Sequence, residues 1–208
     1  MDIFLLRTFQ RQVELQCKFV LTAAQELNKA LAERNSAQQV FYALQNLLTA
    51  SANISKALWG VKGNRDLTKQ RKPLRDSIGI RDDSPLREVN MRNNFEHFDE
   101  RLDKWWRKSK RHNIADLSVG PPSTFQGLED IERFRMFDPS TTNMTFWGEE
   151  FNIQNIVNEV TRIFPTLQRE ASKPHWDPAT LKFPAASTGG SPDEAKAEQP
   201  GRNASSGG

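Results

Sequence analysis

Arg92, Asn93 and His97 are the residues of this chain whose types and spacing are best suited to chemistry. An imidazole ionises near neutrality, so it can accept or release a proton. A guanidinium stays charged and grips oxyanions through a planar fork of donors. The stretch that carries them, Ser84 to Lys110, reads as one helix. Ser84 stands as its N-cap, and Pro85 follows at the first helical position, where a missing N–H costs nothing. Met91, Phe95, Phe98, Leu102, Trp105 and Trp106 recur in steps of three and four and predict one buried face. His97 falls nearly opposite the centre of that face, and Arg92, Asn93 and Glu96 also lie outside it. The spacing predicts an imidazole open to solvent, a cleft or a second chain.

The run Arg92-Asn93-Asn94-Phe95-Glu96-His97 resembles the R-N-x-x-x-H motif of the HEPN superfamily. These are small all-α proteins that include many metal-independent ribonucleases and toxin components. The wider run Arg92 to Trp106 is similar in character to a bacterial HEPN-like protein. Arg107 and His112 share the same spacing, but they sit at a basic helix end. Arg169 and His175 are one residue further apart and have Pro174 between them. In neither pair does Asn follow the Arg.

The resemblance implies metal-independent endoribonuclease chemistry with no cofactor. RNA supplies its own nucleophile, the 2′-hydroxyl. His97 would act as acid or base on that hydroxyl or on the leaving oxygen. Arg92 would stabilise charge on the phosphate. Asn93, one turn before His97, would orient the imidazole or bind phosphate, and Glu96 would position Arg92. The resemblance further implies a homodimer that pairs two motif helices, and an antitoxin or regulatory partner if the chain is a toxin or defence component. Some toxin members carry a Tyr two residues after the His, where a nucleotidyltransferase modifies them. Asp99 stands at that position here and the only tyrosine is Tyr42, which argues against that route. The alternative is a non-catalytic HEPN-like module that binds RNA, a nucleotide or a partner protein. A helical interaction protein outside the family is the third reading.

The elements that must position these residues are helical. Residues 3 to 33 hold a near-heptad stripe from Leu6 through Val13, Cys17 and Val20 to Leu31. Ser36-Ala-Gln-Gln39 has the form of a capping box and starts a second helix, which Gly60 stops. A short connection between two long helices predicts an antiparallel pair. A third long helix runs from Asn152 to Ala171, with Pro165 expected to bend it or end its regular part. The fold class is all-α: an up-and-down bundle of four to five helices with a small inserted β-hairpin and a disordered tail. Phe134–Asp138 and Met144–Trp147 flank Pro139–Asn143 and form that hairpin, at about 134–148. Their aromatic residues read as packing groups. The helical domain spans 1–184. Residues 172–184 read as extended, and the Gly-, Ser- and Pro-rich 185–208 as disordered.

Residues 61 to 83 crowd basic side chains into a segment with few apolar ones, with a short helix predicted at Pro73–Ile78. Lys69, Arg71, Lys72 and Arg75 are the candidate RNA-binding residues, placed to track a phosphate backbone. A solvated charged connector is the other reading of the run.

Composition bounds the rest. A net charge of +3 permits a nucleic-acid partner without requiring one. A lone cysteine rules out an internal disulfide and suits a reducing cytoplasm. Asp2 and the polar Arg7 to Gln12 predict no signal peptide, and no stretch is apolar enough to span a membrane. Walker-type, nucleophile-elbow and zinc-type motifs are missing. Glu96, Asp99, Glu100 and Asp103 cluster, but ion pairs along the helix account for most of them, so no metal is predicted.

Overall fold

Apolar spacing builds the framework. In the computed structural model, which describes residues 1–61 and 63–176, the first helix, α1, runs from Ile3 to Ala32. Asp2 caps it by accepting from the N–H groups of Phe4 and Leu5. Its buried seam is Val13, Cys17, Val20, Ala23, Leu27 and Ala30, while Leu6, Phe9, Ala24 and Leu31 only flank it. Burial, and after it the charge of Glu14, push the Cys17 thiol up to about 12, so it is no nucleophile at neutral pH.

Helix α2, Ala37–Trp59, packs along α1. Ser36 is its N-cap residue, but its side chain makes no capping bond, so the predicted capping box does not form. Gly60 ends α2 at a φ of 78°, with Leu67 packed against the place a Cβ would occupy. The last helix, α7 (Ile153–Ala171), lies against α1 through Ile153, Ile156, Val160, Ile163 and Leu167. It continues past Pro165, so the proline does not end the helix. Pro165 is exposed, so the lost hydrogen bond falls on the solvent side while the seam on either side stays packed.

The basic connector is more ordered than expected. It forms two short helices, α3 (Arg65–Gln70) and α4 (Lys72–Ser77), the second matching the predicted short helix. The largest correction concerns the stretch predicted as one helix. It is a 3₁₀ turn at Pro85–Arg87, then α5 (Asn90–Glu96), then α6 (Phe98–Lys108). Ser84 does cap, but it caps the turn. The break falls at His97, whose φ of −103° and ψ of 39° leave the helical region.

The predicted hairpin is the centre of a larger sheet of four strands in the order β1-β2-β3-β4. Met136–Asp138 (β2) and Asn143–Phe146 (β3) pair antiparallel, as the hairpin requires. Glu149–Asn152 (β4) extends it, and Ser118–Val119 (β1) joins in parallel. Phe134, Phe137, Met144 and Phe146 are fully buried, in keeping with a packing role. Phe95 and Phe98 close on Phe146 from the two sides of the helix break, each with ring centroids 6.4 Å away. Met1–Trp176 form one compact unit, mostly helical, with this small sheet. No helix among the described residues is long and apolar enough to cross a membrane. Most of the predicted extended segment 172–184, and all of the predicted tail 185–208, lie outside the described residues.

Candidate functional site

A groove of about 1030 Å³ opens where the end of α2 meets α3, the Asp82–Val89 segment and α5. That is at the upper end of the range of ligand sites, roughly 300–1,000 Å³. Behind its lining, one buried guanidinium ties the walls together. Arg75 donates to the carbonyls of Leu58 (2.7 Å) and Thr68 (2.9 Å), and its Nε lies 3.1 Å from Asp82 Oδ1. Asp82 also accepts from Trp59 Nε1 at 3.2 Å, and Thr68 Oγ1 donates to the Trp59 carbonyl at 2.7 Å. Asn64 caps α3 by accepting from Leu67 N–H, which fixes the α3 wall.

Arg92 and Asn93 line this groove from α5. Arg92 is ion-paired with Glu96 one turn on, and it donates to Asn93 Oδ1 at 3.2 Å. Its Nε is buried and has no acceptor among the described residues. Such a donor is uncommon inside a folded chain. Lys56, Arg65 and Lys69 line the groove from α2 and α3, and no acidic partner is paired with any of them among the described residues.

His97 is not on the groove lining. Its side chain is 52% exposed, as the spacing predicts, and Nδ1 lies 3.2 Å from Glu100 Oε1. Glu100, not Asn93, is therefore the residue that orients the imidazole. With Nδ1 protonated toward Glu100, Nε2 carries the free lone pair. The structure joins Arg92, Asn93 and Glu96 by direct contacts, while His97, at the helix break, pairs with Glu100 and is off the groove lining.

The four candidate RNA-binding cations separate. Lys69 is exposed on the groove. Arg75 is only 4% exposed and is fully engaged behind the lining, so it contacts no ligand. Arg71 lies over the Phe9 ring at 3.6 Å, and burial lowers its pKa. Lys72 is exposed but paired with Asp76. Sequence reasoning missed Lys56, Arg65 and Arg87. Lys56 lies in the last turn of an otherwise apolar-striped helix, and Arg65 lay in the run without being chosen. Their common signal is position, on either side of the Gly60 stop. The chain matches no protein-family model, no curated protein and no solved structure.

Proposed function

We propose that this chain is a HEPN-like helical module that binds single-stranded RNA by its phosphates, in the groove between α2, α3 and α5. One observation carries this reading: Lys56, Arg65, Lys69, Arg87 and Arg92 line one cavity and outnumber its carboxylates Asp82, Asp83 and Glu88, of which Asp82 is paired with Arg75 and Asp83 with Arg81. Cations distributed around a groove track a polyanion. Arg92, held in place by Glu96 and Asn93, brings a fixed positive charge to the groove wall, where it favours a phosphate. The α1, α2 and α7 framework is an up-and-down bundle in this reading. The buried thiol and the charge suit a cytoplasmic RNA-binder.

A second reading, the metal-independent ribonuclease, draws on the exposed His97–Glu100 pair. In it, Nε2 takes the 2′-hydroxyl proton as the 2′-oxygen–phosphorus bond forms and the bond to the 5′-oxygen breaks. A second acid must protonate the 5′-oxygen. One motif histidine per chain falls short of that, so this reading needs a homodimer that pairs two such sites. A toxin role, with an antitoxin or regulatory partner, belongs to the same reading.

Anisotropy of a labelled single-stranded RNA in EDTA separates the two. Binding that weakens in Lys69→Glu and Arg92→Ala, persists in His97→Ala and leaves the RNA intact supports the module. RNA shortened by wild type and spared by His97→Ala supports the nuclease. A wild type that binds no RNA at low salt ends both.

A further inference from the structure

The C-terminal end of α6 breaks the predicted pattern in a second place. Trp106 was expected in the buried face, yet it is 62% exposed. Its ring lies against His112, with centroids 4.2 Å apart and planes 33° from parallel. Trp105 touches the same ring at a tilt, with centroids 5.9 Å apart, and the indole still keeps most of its surface in solvent. Trp105 supports His112 edge-on from 5.8 Å.

This stack is held in place by a buried carboxylate. Glu132 is fully buried and accepts from Ser109 Oγ (2.8 Å), Asn113 N–H (3.3 Å) and Glu129 N–H (3.1 Å). Ser109 Oγ in turn accepts from the His112 N–H at 2.9 Å, and Trp105 Nε1 donates to the Asn113 carbonyl at 2.9 Å. The loop so fixed holds His112 at a φ of 53°, a left-handed conformation that non-glycine residues seldom adopt. His112 Nε2 closes the ring of contacts 3.0 Å from the Trp106 carbonyl. A strained backbone held by a buried anchor, with an aromatic pair presented to solvent, is a preorganised surface.

The surroundings of that surface are cationic. Arg107, Lys108, Lys110 and Arg111 are all exposed. Arg111 donates to the Gly127 carbonyl, whereas Arg107, Lys108 and Lys110 have no ion-pair partner among the described residues. An exposed indole flanked by unpaired cations matches one ligand chemistry, a flat base attached to phosphates.

We propose that Trp106, backed by His112, is a base-stacking platform for single-stranded RNA, with Arg107, Lys108 and Lys110 contacting the adjoining phosphates. The platform shares its ligand class with the groove but not its residues, so the two can fail separately.

The experiment compares an eight-nucleotide oligouridine with an abasic oligomer carrying the same number of phosphates, by anisotropy in EDTA. Wild type is expected to hold the base-bearing strand about tenfold more tightly. Trp106→Ala removes that preference and leaves abasic binding unchanged. His112→Gly, which relieves the strained backbone and so keeps the loop, reduces the preference by several-fold. Arg107→Gln with Lys110→Gln weakens both strands and lowers the salt dependence. A preference that survives Trp106→Ala overturns the platform and leaves the groove standing. Lys69→Glu binding like wild type, while Trp106→Ala loses the preference, overturns the groove reading and keeps the platform. Trp106-dependent capture of a polyglutamate peptide, tighter than that of RNA, overturns the assignment to a base.

Discussion

The two basic runs of this chain, residues 65–75 and 107–111, look alike in sequence and are used in opposite ways. In the first, Arg75 is buried in backbone carbonyls, Arg71 lies on Phe9, and Lys72 pairs with Asp76. Only Arg65 and Lys69 are left facing the groove. In the second, every cation is exposed, and among the described residues only Arg111 makes a hydrogen bond, to the Gly127 carbonyl. A run of charge in sequence therefore does not measure charge available to a ligand. Interior carbonyls left over at the end of α2 absorbed part of the first run, because buried acceptors must find donors.

The sharpest way to break this contrast is to remove the buried member. Arg75→Ala strands the Leu58 and Thr68 carbonyls and frees Asp82, and it is expected to cost about 3 kcal/mol of stability. Urea unfolding followed by far-UV circular dichroism measures it. A loss below about 1 kcal/mol, the level of an ordinary surface residue, would mean that Arg75 is no anchor.

The anchor of the second run is Glu132, and it gives a pH signature. Burial opposes its ionisation, but the N–H of Glu129, the Ser109 hydroxyl, the N–H of Asn113 and the nearby Arg111 outweigh burial and hold its carboxyl below the usual range. A depressed folded value stabilises the fold fully above the unfolded glutamate value of about 4.3. That stability is lost as pH falls from there through the folded value. Glu132→Gln should lower the melting temperature at pH 6.5, and the gap to wild type should narrow toward pH 3. A gap that stays constant would show that the carboxylate's charge does not matter to the loop.

The long helices were legible because an apolar residue at every third or fourth position leaves little choice of buried face. Leu6 and Leu31 sit at the rim of the α1 seam, since that choice was off by a fraction of a turn. The break at His97 was not legible. Nothing at positions 96–98 is a helix breaker, and the local spacing fits one continuous stripe. The break arises where Phe95 and Phe98 both meet the sheet, and Asn94 accepts from Arg101 Nε (3.0 Å) across it. These are long-range demands that override local propensity. Strand β1 was hidden for the same reason, as two residues held by a parallel partner leave no periodicity to read. Around the groove, the Arg92–Glu96 pairing was legible from its one-turn spacing, and the exposure of Lys69 from its polar setting. The separation of His97 from the groove was not, because it depends on the break.

The smallest effect tests the comparison at its least conspicuous residue. Lys72 and Asp76 form an exposed pair one helical turn apart, with Nζ 2.7 Å from Oδ2. Exposed pairs of this kind contribute about 0.3–0.5 kcal/mol. Lys72 lies off the groove lining, although it stands between Lys69 and Arg75 in sequence. Lys72→Gln is therefore expected to shift stability by no more than about 0.5 kcal/mol and to leave RNA affinity within a factor of two. Lys69→Glu, three residues earlier, is expected to weaken binding about tenfold at low salt, because in the proposed reading it removes a phosphate contact and adds a like charge. Equal losses from the two substitutions would mean that the whole run acts as a diffuse field. Unequal losses would tie binding to the wall of one groove.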